Sequence, residues 1–218
     1  MSTERDRQAL FRHLRRAIND EKVLSTMEQV PRELFVPGEW RRLAYKDTPQ
    51  PIGSGQTISQ PFIVALMTSL LELQGHERLL ELGTGTGYQA AILSRLVPQG
   101  KVLTLERIPA LASAARELLR YLEYTNVEVR AADAALGCTE EAPFDAILVT
   151  AAAPKLPPAL LDQMALGGRM VLPVGNLKEQ ELVRVLRTDE GPTLRLFGPC
   201  RFVPLIGKDA WPDDPGVL

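Results

Sequence analysis

The N-terminal third of the chain carries apolar residues at helical spacing. The apolar stripe of the first pattern consists of Leu10, Phe11, Leu14 and Ile18. Pro31 ends the second pattern, and Ser59 reads as the N-cap of the third, with Pro61 in its first turn. The patterns predict helices over Thr3–Ile18, Lys22–Val30 and Gln60–Leu73. Residues 37–55 are rich in Pro, Gly and polar residues, which predicts a long irregular segment.

Beyond residue 78 the pattern changes to short apolar runs that alternate with helical ones. Strands are predicted at Leu79–Leu82, Lys101–Leu105, Val127–Arg130, Phe144–Val149, Arg169–Val174, Glu179–Arg187 and Leu194–Leu205. Helices are predicted from Tyr88 onward and over Pro109–Leu122 and Pro157–Leu166, the last ended by Gly167 and Gly168. This alternation predicts a Rossmann-like α/β fold, with a mostly parallel sheet and helices on both faces.

The connection after the first strand is rich in glycine. Gly83, Gly85 and Gly87 stand at alternate positions, and Glu81 precedes the first of them by two residues. Glycine permits positive φ and lets a ligand lie against bare backbone, while the following helix directs its N–H groups into the turn. Dinucleotide-binding turns read G-x-G-x-x-G, whereas this one reads G-x-G-x-G. The segment resembles motif I of the class I methyltransferases, which bind S-adenosylmethionine.

Two further acids follow later strands. Glu106 comes directly after the second strand, where a carboxylate is placed to accept hydrogen bonds from ribose hydroxyls; it also suits the N-terminus of the next helix as a plain charge. In class I methyltransferases an acid at the end of the third strand accepts from the adenine amino group, and Asp133 matches it. The resemblance implies a cofactor site formed by Glu81, Gly83, Thr84, Gly85, Gly87, Glu106, Arg107, Asp133 and Ala134.

Several other blocks resemble the protein-L-isoaspartate O-methyltransferases. They are residues 31–37 (PRELFVP), 53–61 (GSGQTISQP), 143–147 (PFDAI), 150–154 (TAAAP), 172–175 (LPVG) and 201–205 (RFVPL). The resemblance covers roughly residues 30–206. It implies transfer of a methyl group from S-adenosylmethionine to the free α-carboxylate of L-isoaspartyl residues in damaged proteins and peptides, a repair reaction.

The same resemblance assigns roles to individual residues. Ser59 matches the active-site serine, and Thr57 and Ile58 match residues that lie against both substrate and cofactor. Val203, Pro204 and Leu205 match a strand whose backbone faces the bound peptide. The chain departs from the family pattern at Ala132, Ala134, Phe62 and Ile206.

Composition narrows the remaining choices. The chain has 218 residues, is 45% hydrophobic and carries a formal net charge of −2, which disfavours a nucleic-acid partner. The two cysteines have no metal-type spacing, and the two histidines, His13 and His76, have no ligand-spaced neighbours, so a metal site is not expected. There is no signal core or transmembrane stretch, so a cytoplasmic protein without a membrane partner is expected.

The expected organisation has three parts. Residues 1–75 form a helical and substrate-loop region packed on the core, residues 76–208 the methyltransferase domain with the C-terminal substrate strand, and residues 209–218 a tail.

Four alternatives stay open on the sequence alone. The chain is compatible with a class I methyltransferase for a small molecule or nucleic acid, with a non-catalytic S-adenosylmethionine-binding protein, and, less well given the glycine spacing, with a nicotinamide oxidoreductase. Ser59 is compatible with a plain helix N-cap. Methyl transfer to matched Asp and isoAsp peptides tests the first alternative, binding of NAD against S-adenosylmethionine tests the oxidoreductase, and Ser59→Ala tests the N-cap.

Overall fold

Two helices begin the chain in the computed structural model, which describes residues 2–133 and 135–213. Helix α1 is Ser2–Leu14 and helix α2 is Glu21–Gln29, so both predicted helices are confirmed, although α1 ends before Ile18. The Asp20 side chain caps α2 by accepting from the backbone N–H of Val23 at 3.0 Å. The predicted apolar stripe of the first helix is buried throughout, Ile18 included.

The segment predicted to be irregular contains regular structure. A short 3-10 helix lies at Arg41–Leu43, and strands β1 (Gln50–Gly53) and β2 (Gln56–Ile58) form an antiparallel hairpin; another 3-10 helix, Arg32–Leu34, precedes the segment. The hairpin turn places Gly53, Ser54 and Gly55 at positive φ, a conformation that glycine adopts without steric cost. The sequence prediction was therefore wrong at the end of this segment.

Helix α3 is Pro61–Ser69, shorter than predicted, and Ser59 does not cap it. Gln60 is the N-cap residue, without a side-chain capping bond of its own. The Asp47 carboxylate performs that function from a distant part of the chain, accepting from the backbone N–H of Phe62 at 2.8 Å. The N-cap interpretation of Ser59 is thus wrong, because a carboxylate brought in by the fold occupies that role.

A seven-stranded sheet forms the centre of the molecule. Its strands are β3 (Arg78–Leu82), β4 (Lys101–Glu106), β5 (Val127–Ala131), β6 (Phe144–Val149), β7 (Met164–Gly175), β8 (Gln180–Thr188) and β9 (Gly191–Cys200). The order is β5-β4-β3-β6-β7-β8-β9; the first five strands are parallel, and β8 pairs antiparallel with both β7 and β9. The predicted Rossmann-like class is confirmed. The order reverses at β3, which is where open α/β sheets bind ligands.

Helices cover both faces of this sheet. Helices α4 (Tyr88–Leu96) and α5 (Pro109–Tyr121) pack into the same apolar cluster as α1 and α2, through residues such as Leu14, Leu24 and Ile92. Helix α6 (Pro158–Asp162) packs into a second cluster through Leu160. The N-terminal helices therefore share a core with the sheet.

Two boundaries near the C-terminal end of the chain differ from the prediction. The helix predicted over 157–166 ends at Asp162, and β7 begins at Met164 and continues through Gly167, which has a φ of 75°. The last strand ends at Cys200, so Val203–Leu205 lies outside it. That segment instead bonds beside β6: Ala152 donates to the Val203 carbonyl and Leu205 donates to the Ala152 carbonyl, both at 2.8 Å.

Candidate active site

The glycine turn between β3 and α4 is held in one conformation. Gly83, Gly85 and Gly87 have φ values of 100°, 55° and 88°, where a Cβ is disfavoured. A Cβ on Gly83 would lie 2.3 Å from Oγ1 of Thr150, whose hydroxyl donates to the carbonyls of Leu82 and Gly83. The turn therefore presents bare backbone at the carboxyl end of the central strand.

Glu106 joins the end of β4 to this turn. Its side chain is buried, with Oε2 accepting from the Gly85 N–H at 2.8 Å and Oε1 accepting from the Ile108 N–H at 2.9 Å. A carboxylate oxygen has two lone pairs, so each oxygen can accept a further hydrogen bond from a ligand hydroxyl. The arrangement fits the ribose role that the sequence predicts.

Glu81 lies beneath the turn and does not line the crevice. It is fully buried beside its neighbour on β4, Thr104, whose hydroxyl donates to Oε2 at 2.6 Å; Thr104 in turn shares a 2.7 Å hydrogen bond with Thr84. Oε1 has no partner in the described parts of the chain. Burial, opposed by the Thr104 hydrogen bond and aided by the nearby Glu106 carboxylate, raises the pKa of Glu81 to about 8. Glu81 supports the turn from below.

A first cavity of about 630 Å³, including space open to solvent, lies at the ends of β4 and β5. Among its lining residues are Leu82, Gly83, Leu105, Glu106, Arg107, Ala132, Asp133, Leu136, Pro204, Leu205 and Ile206. Asp133 is exposed and accepts from the Ala135 N–H at 2.8 Å; Arg107 is half-exposed and forms a 3.6 Å ion pair with Asp213. Ala134 lies outside the described residues. The apolar and acidic lining suits a nucleoside.

A second cavity of about 610 Å³ opens between the hairpin and the glycine turn. The hairpin side contributes Ile52, Gln56, Thr57, Ile58 and Ser59, and the turn side contributes Gly83, Thr84, Gly85, Thr86, Tyr88 and Gln89. Val203 also lines it. Gln56, Gly83 and Glu106 line both cavities, which therefore form one continuous crevice. Gly87 does not line it: a Cβ there would meet Leu119 at 3.0 Å, behind the turn.

Ser59 stands at the corner between the hairpin and α3. Its carbonyl oxygen accepts from Nη2 of Arg32 at 2.8 Å. Within residues 2–133 and 135–213 its hydroxyl has no hydrogen-bond partner, and the residue is half-buried in the wall of the second cavity. A free hydroxyl at this position is available to a ligand.

Several lining residues were not predicted. Gln56 and Ile52 belong to the hairpin, a part of the chain that was predicted to be irregular up to residue 55. Thr86 occupies the variable position between two glycines, and its buried Oγ1 has no partner among the residues that the structure describes. Gln89 is the second residue of α4 and donates to the Thr68 hydroxyl at 3.0 Å.

The described residues contain no group of three or more His, Cys, Asp or Glu side chains placed to hold a metal ion. None of the helices described is long and apolar enough to cross a membrane. Cys138 and Cys200 are both free thiols, and His13 and His76 are exposed, as predicted.

Comparison with known proteins agrees with this geometry. The model of the protein-L-isoaspartate(D-aspartate) O-methyltransferase family matches residues 5–210. Protein-L-isoaspartate O-methyltransferase 1 of Syntrophobacter fumaroxidans is 53% identical over 207 residues, which cover 95% of this chain and 96% of that one. The Methanoculleus marisnigri protein-L-isoaspartate O-methyltransferase is 49% identical, covering 95% and 94%.

Solved structures give the same result. A protein-L-isoaspartate O-methyltransferase superposes with a TM-score of 0.83 at 28% identity, covering 94% of this chain and 67% of that one. A Plasmodium falciparum beta-aspartate methyltransferase in complex with S-adenosyl-L-homocysteine superposes with a TM-score of 0.79 at 28% identity, covering 89% and 95%. The chain belongs to the protein-L-isoaspartate(D-aspartate) O-methyltransferase family.

Proposed function

We propose that the crevice holds S-adenosylmethionine and an isoaspartyl peptide side by side, with Ser59 acting on the peptide carboxylate. As a member of its family the chain is an S-adenosylmethionine-dependent methyltransferase that repairs L-isoaspartyl residues in proteins and peptides. One observation carries the assignment of roles. The second cavity brings the unpartnered Ser59 hydroxyl to the same space as the bare backbone of Gly85, next to the nucleoside-like first cavity.

The first cavity fits the adenosine part of the cofactor. The Glu106 carboxylate is fixed by two backbone N–H groups and has lone pairs left for the ribose hydroxyls. Leu82, Leu105 and Leu136 supply apolar surface for the adenine ring, and Asp133 stands at its edge for the amino group. The second cavity then receives the methionine part along Gly83, Thr84 and Gly85.

The chemistry explains why no titratable residue is needed beside Ser59. The free α-carboxylate of an isoaspartyl residue has a pKa of about 3.3–3.9 and is ionised at neutral pH. When bound, S-adenosylmethionine supplies an electrophilic methyl group on a positively charged sulfur. A carboxylate oxygen bonds to that carbon as the sulfur–carbon bond breaks, giving a methyl ester and S-adenosylhomocysteine. Positioning is the main requirement of such a step and contributes about 7–11 kcal/mol.

Ser59 and the surrounding backbone meet that requirement. A hydroxyl orients one carboxylate oxygen by a hydrogen bond and leaves the other free to react. A fixed cation would form a stronger charge-assisted bond and hold the carboxylate in its ground state. We assign peptide contacts to Thr57, Ile58 and Ser59 on one side and to Val203, Pro204 and Leu205 on the other, with Thr57 and Ile58 also touching the cofactor.

The organisation and location of the chain complete the proposal. Residues 1–75 supply the hairpin side of the crevice, residues 76–208 the cofactor side with the C-terminal substrate segment, and residues 209–218 a tail. The net charge of −2 supports a protein or peptide substrate rather than nucleic acid, and two unpaired cysteines support a reducing, cytoplasmic location.

Matched peptides that differ only in an Asp or isoAsp residue test the proposal. The free carboxylate of isoAsp sits directly on Cα, whereas that of Asp is one methylene further from the backbone. A backbone-held peptide would misplace the Asp oxygen by about 1 Å or more, which costs about 10²-fold in rate. We expect methylation of the isoAsp peptide alone, measured as transfer of labelled methyl groups. Equal turnover of both peptides would contradict the substrate assignment.

A further inference from the structure

Arg32 is the largest fully buried side chain of the chain's described part. It begins the 3-10 helix Arg32–Leu34 and is 1% exposed. Nε donates to the Ala44 carbonyl at 2.9 Å, and Nη2 donates to the Ser59 carbonyl at 2.8 Å. The third nitrogen, Nη1, has no partner among the described residues. Both acceptors are carbonyl oxygens, so the buried charge is held without a carboxylate at either bond.

A buried guanidinium of this kind is unfavourable for the free energy of folding. Burying a cation that no carboxylate bonds directly is strongly unfavourable unless hydrogen bonds compensate it. Burial accordingly lowers the pKa of Arg32, and interactions with Tyr88 and, at longer range, the Asp47 carboxylate offset part of that effect. A well-packed apolar residue of similar volume would often stabilise a core as well or better. An arginine at this position is better explained by the groups that its planar guanidinium, with several N–H donors, holds in place.

The guanidinium joins three segments that are separate in the sequence. Ala44 precedes the hairpin, Ser59 follows it, and Tyr88 is the first residue of α4 after the glycine turn. The carbon at the centre of the guanidinium lies 4.8 Å from the centroid of the Tyr88 ring, a stacking distance. One side chain thus connects the corner that carries Ser59 with the helix that begins at the cofactor turn.

The corner at Ser59 depends on this contact. The Ser59 carbonyl lies outside the helical ladder of α3, where Val64 donates to Gln60 instead. On the opposite side, Asp47 fixes the start of α3 through Phe62 and accepts from the Gln60 side chain at 3.1 Å. Arg32 therefore holds the backbone of Ser59 directly, whereas Asp47 holds the residues after it.

We propose that Arg32 is a positioning residue, which fixes the Ser59 hydroxyl relative to the glycine turn by clamping the Ser59 carbonyl and stacking on Tyr88. The inference rests on the proposed role of Ser59. Because Arg32 does not line either cavity, it acts on the reaction through Ser59 and not by touching peptide or cofactor.

The test is a double-mutant cycle between Arg32→Lys and Ser59→Ala, with kcat and KM measured on an isoAsp peptide at saturating S-adenosylmethionine. Lysine keeps the charge but cannot bridge two carbonyls in one plane and stack. We expect Arg32→Lys to lower kcat about tenfold or more, since a displacement of about 1 Å can cost 10²-fold. Cofactor affinity, measured with S-adenosylhomocysteine, should stay within a few-fold. In the Ser59→Ala background the same substitution should change kcat by less than about twofold.

Equal effects of Arg32→Lys in both backgrounds would overturn the proposal. Failure of the serine assignment is separate, because it appears as an unchanged kcat in Ser59→Ala alone. Arg169→Lys is the matched control: that interior arginine donates to the Leu71 carbonyl at 2.6 Å, pairs with Glu77 and lines neither cavity, so kcat should not change.

A second variant covers the case in which Arg32→Lys does not fold. Arg32→Met replaces the guanidinium by an apolar side chain of similar length, so both carbonyl bonds are lost and no charge is buried. A loss of kcat is again expected, and it too should vanish in the Ser59→Ala background. A loss that persists in that background would count against Arg32 acting through Ser59.

Discussion

The two walls of the crevice are stabilised in different ways. The cofactor wall consists of strand ends and a glycine turn whose backbone groups are bonded to two side chains, Thr150 and Glu106. The substrate wall consists of the hairpin 50–58, Ser59 and the segment 203–205, which place Ile52, Ile58 and Leu205 in the core. Its backbone is bonded by one interior side chain, that of Arg32 at the Ser59 carbonyl, and by the Ala152 backbone. Side-chain hydrogen bonds therefore hold the backbone of the first wall more tightly than that of the second.

This difference suits the two ligands. S-adenosylmethionine is the same molecule in every turnover, so a rigid and closely packed site loses nothing by being specific. Isoaspartyl residues occur in many sequence contexts, and a wall that offers backbone N–H and C=O groups recognises what those contexts share. The comparison predicts that equal substitutions will have unequal effects on the two walls.

The largest effect is expected for Gly83→Ala on the cofactor wall. The new Cβ would lie 2.3 Å from Thr150 Oγ1 at a φ of 100°. Backbone strain of about 1–2 kcal/mol and the loss of the Thr150 hydrogen bonds, about 1–3 kcal/mol, together predict a destabilisation of about 2–5 kcal/mol. Urea unfolding measures this destabilisation, and binding of S-adenosylhomocysteine should be lost in parallel.

The control adds Thr150→Ala, which removes the clashing oxygen. The double variant should be destabilised by less than the sum of the two single effects; strict additivity would show that the clash is not the cause.

The next effect concerns the buried acid beneath the same turn. The pKa of Glu81 is raised from 4.5 to about 8 on folding, so well below pH 4.5 the carboxyl is protonated in both the folded and the unfolded state. As the pH rises toward 8 the unfolded state ionises first, so the free energy of unfolding falls. In Glu81→Gln the residue stays neutral at every pH. The free energy of unfolding of the variant, relative to that of the wild type, should therefore increase between pH 5 and pH 8. Parallel pH curves would show that Glu81 is ionised in the native protein.

A somewhat smaller effect is expected at Glu106, where the cofactor wall meets its ligand. Glu106→Ala should weaken binding of S-adenosylhomocysteine by about 1.5–3 kcal/mol, the range for hydrogen bonds to a charged group. Calorimetry measures this directly. Asp133→Asn provides a comparison at an exposed position of the same cavity and should cost less. An unchanged affinity in Glu106→Ala would remove Glu106 from the ribose site.

The sequence predicts the cofactor wall better than the substrate wall for the same physical reason. Gly83 and Glu106 meet local requirements, a positive φ in the turn and an acid at a strand end. These requirements produce a spacing of residue types that is recognisable in the sequence. The side chain that caps α3 could not be predicted from the sequence, because Asp47 lies fourteen positions before Pro61, the first residue of the helix. Arg32 shows no local signal either, since its partners are carbonyls at residues 44 and 59.

The errors near the C-terminal end have a tertiary origin. Gly167 and Gly168 resemble a helix end, yet pairing with β6 and β8 extends β7 in both directions. Val203–Leu205 was predicted as the end of a long strand, and its actual position depends on one parallel bridge between Ala152 and Pro204. Strand pairing across the sheet overrides local preference at such places.

The smallest effect is expected on the substrate wall, at Gly55 in the hairpin turn. Gly55 has a φ of 69°, and a Cβ there would have no atom within 4 Å, so backbone strain is the only penalty. Gly55→Ala should therefore destabilise the protein by about 1–2 kcal/mol at most, and Gly55→Asn by less, because asparagine tolerates this conformation. Thermal unfolding of the pair measures the difference, and S-adenosylhomocysteine affinity should not change in either variant. If Gly55→Ala matched Gly83→Ala in stability and in loss of cofactor binding, the hairpin would be as rigidly coupled to the core as the glycine turn. The two walls would then form a single packed unit, and tolerance of different peptide sequences would have to come from another source than an adaptable substrate wall.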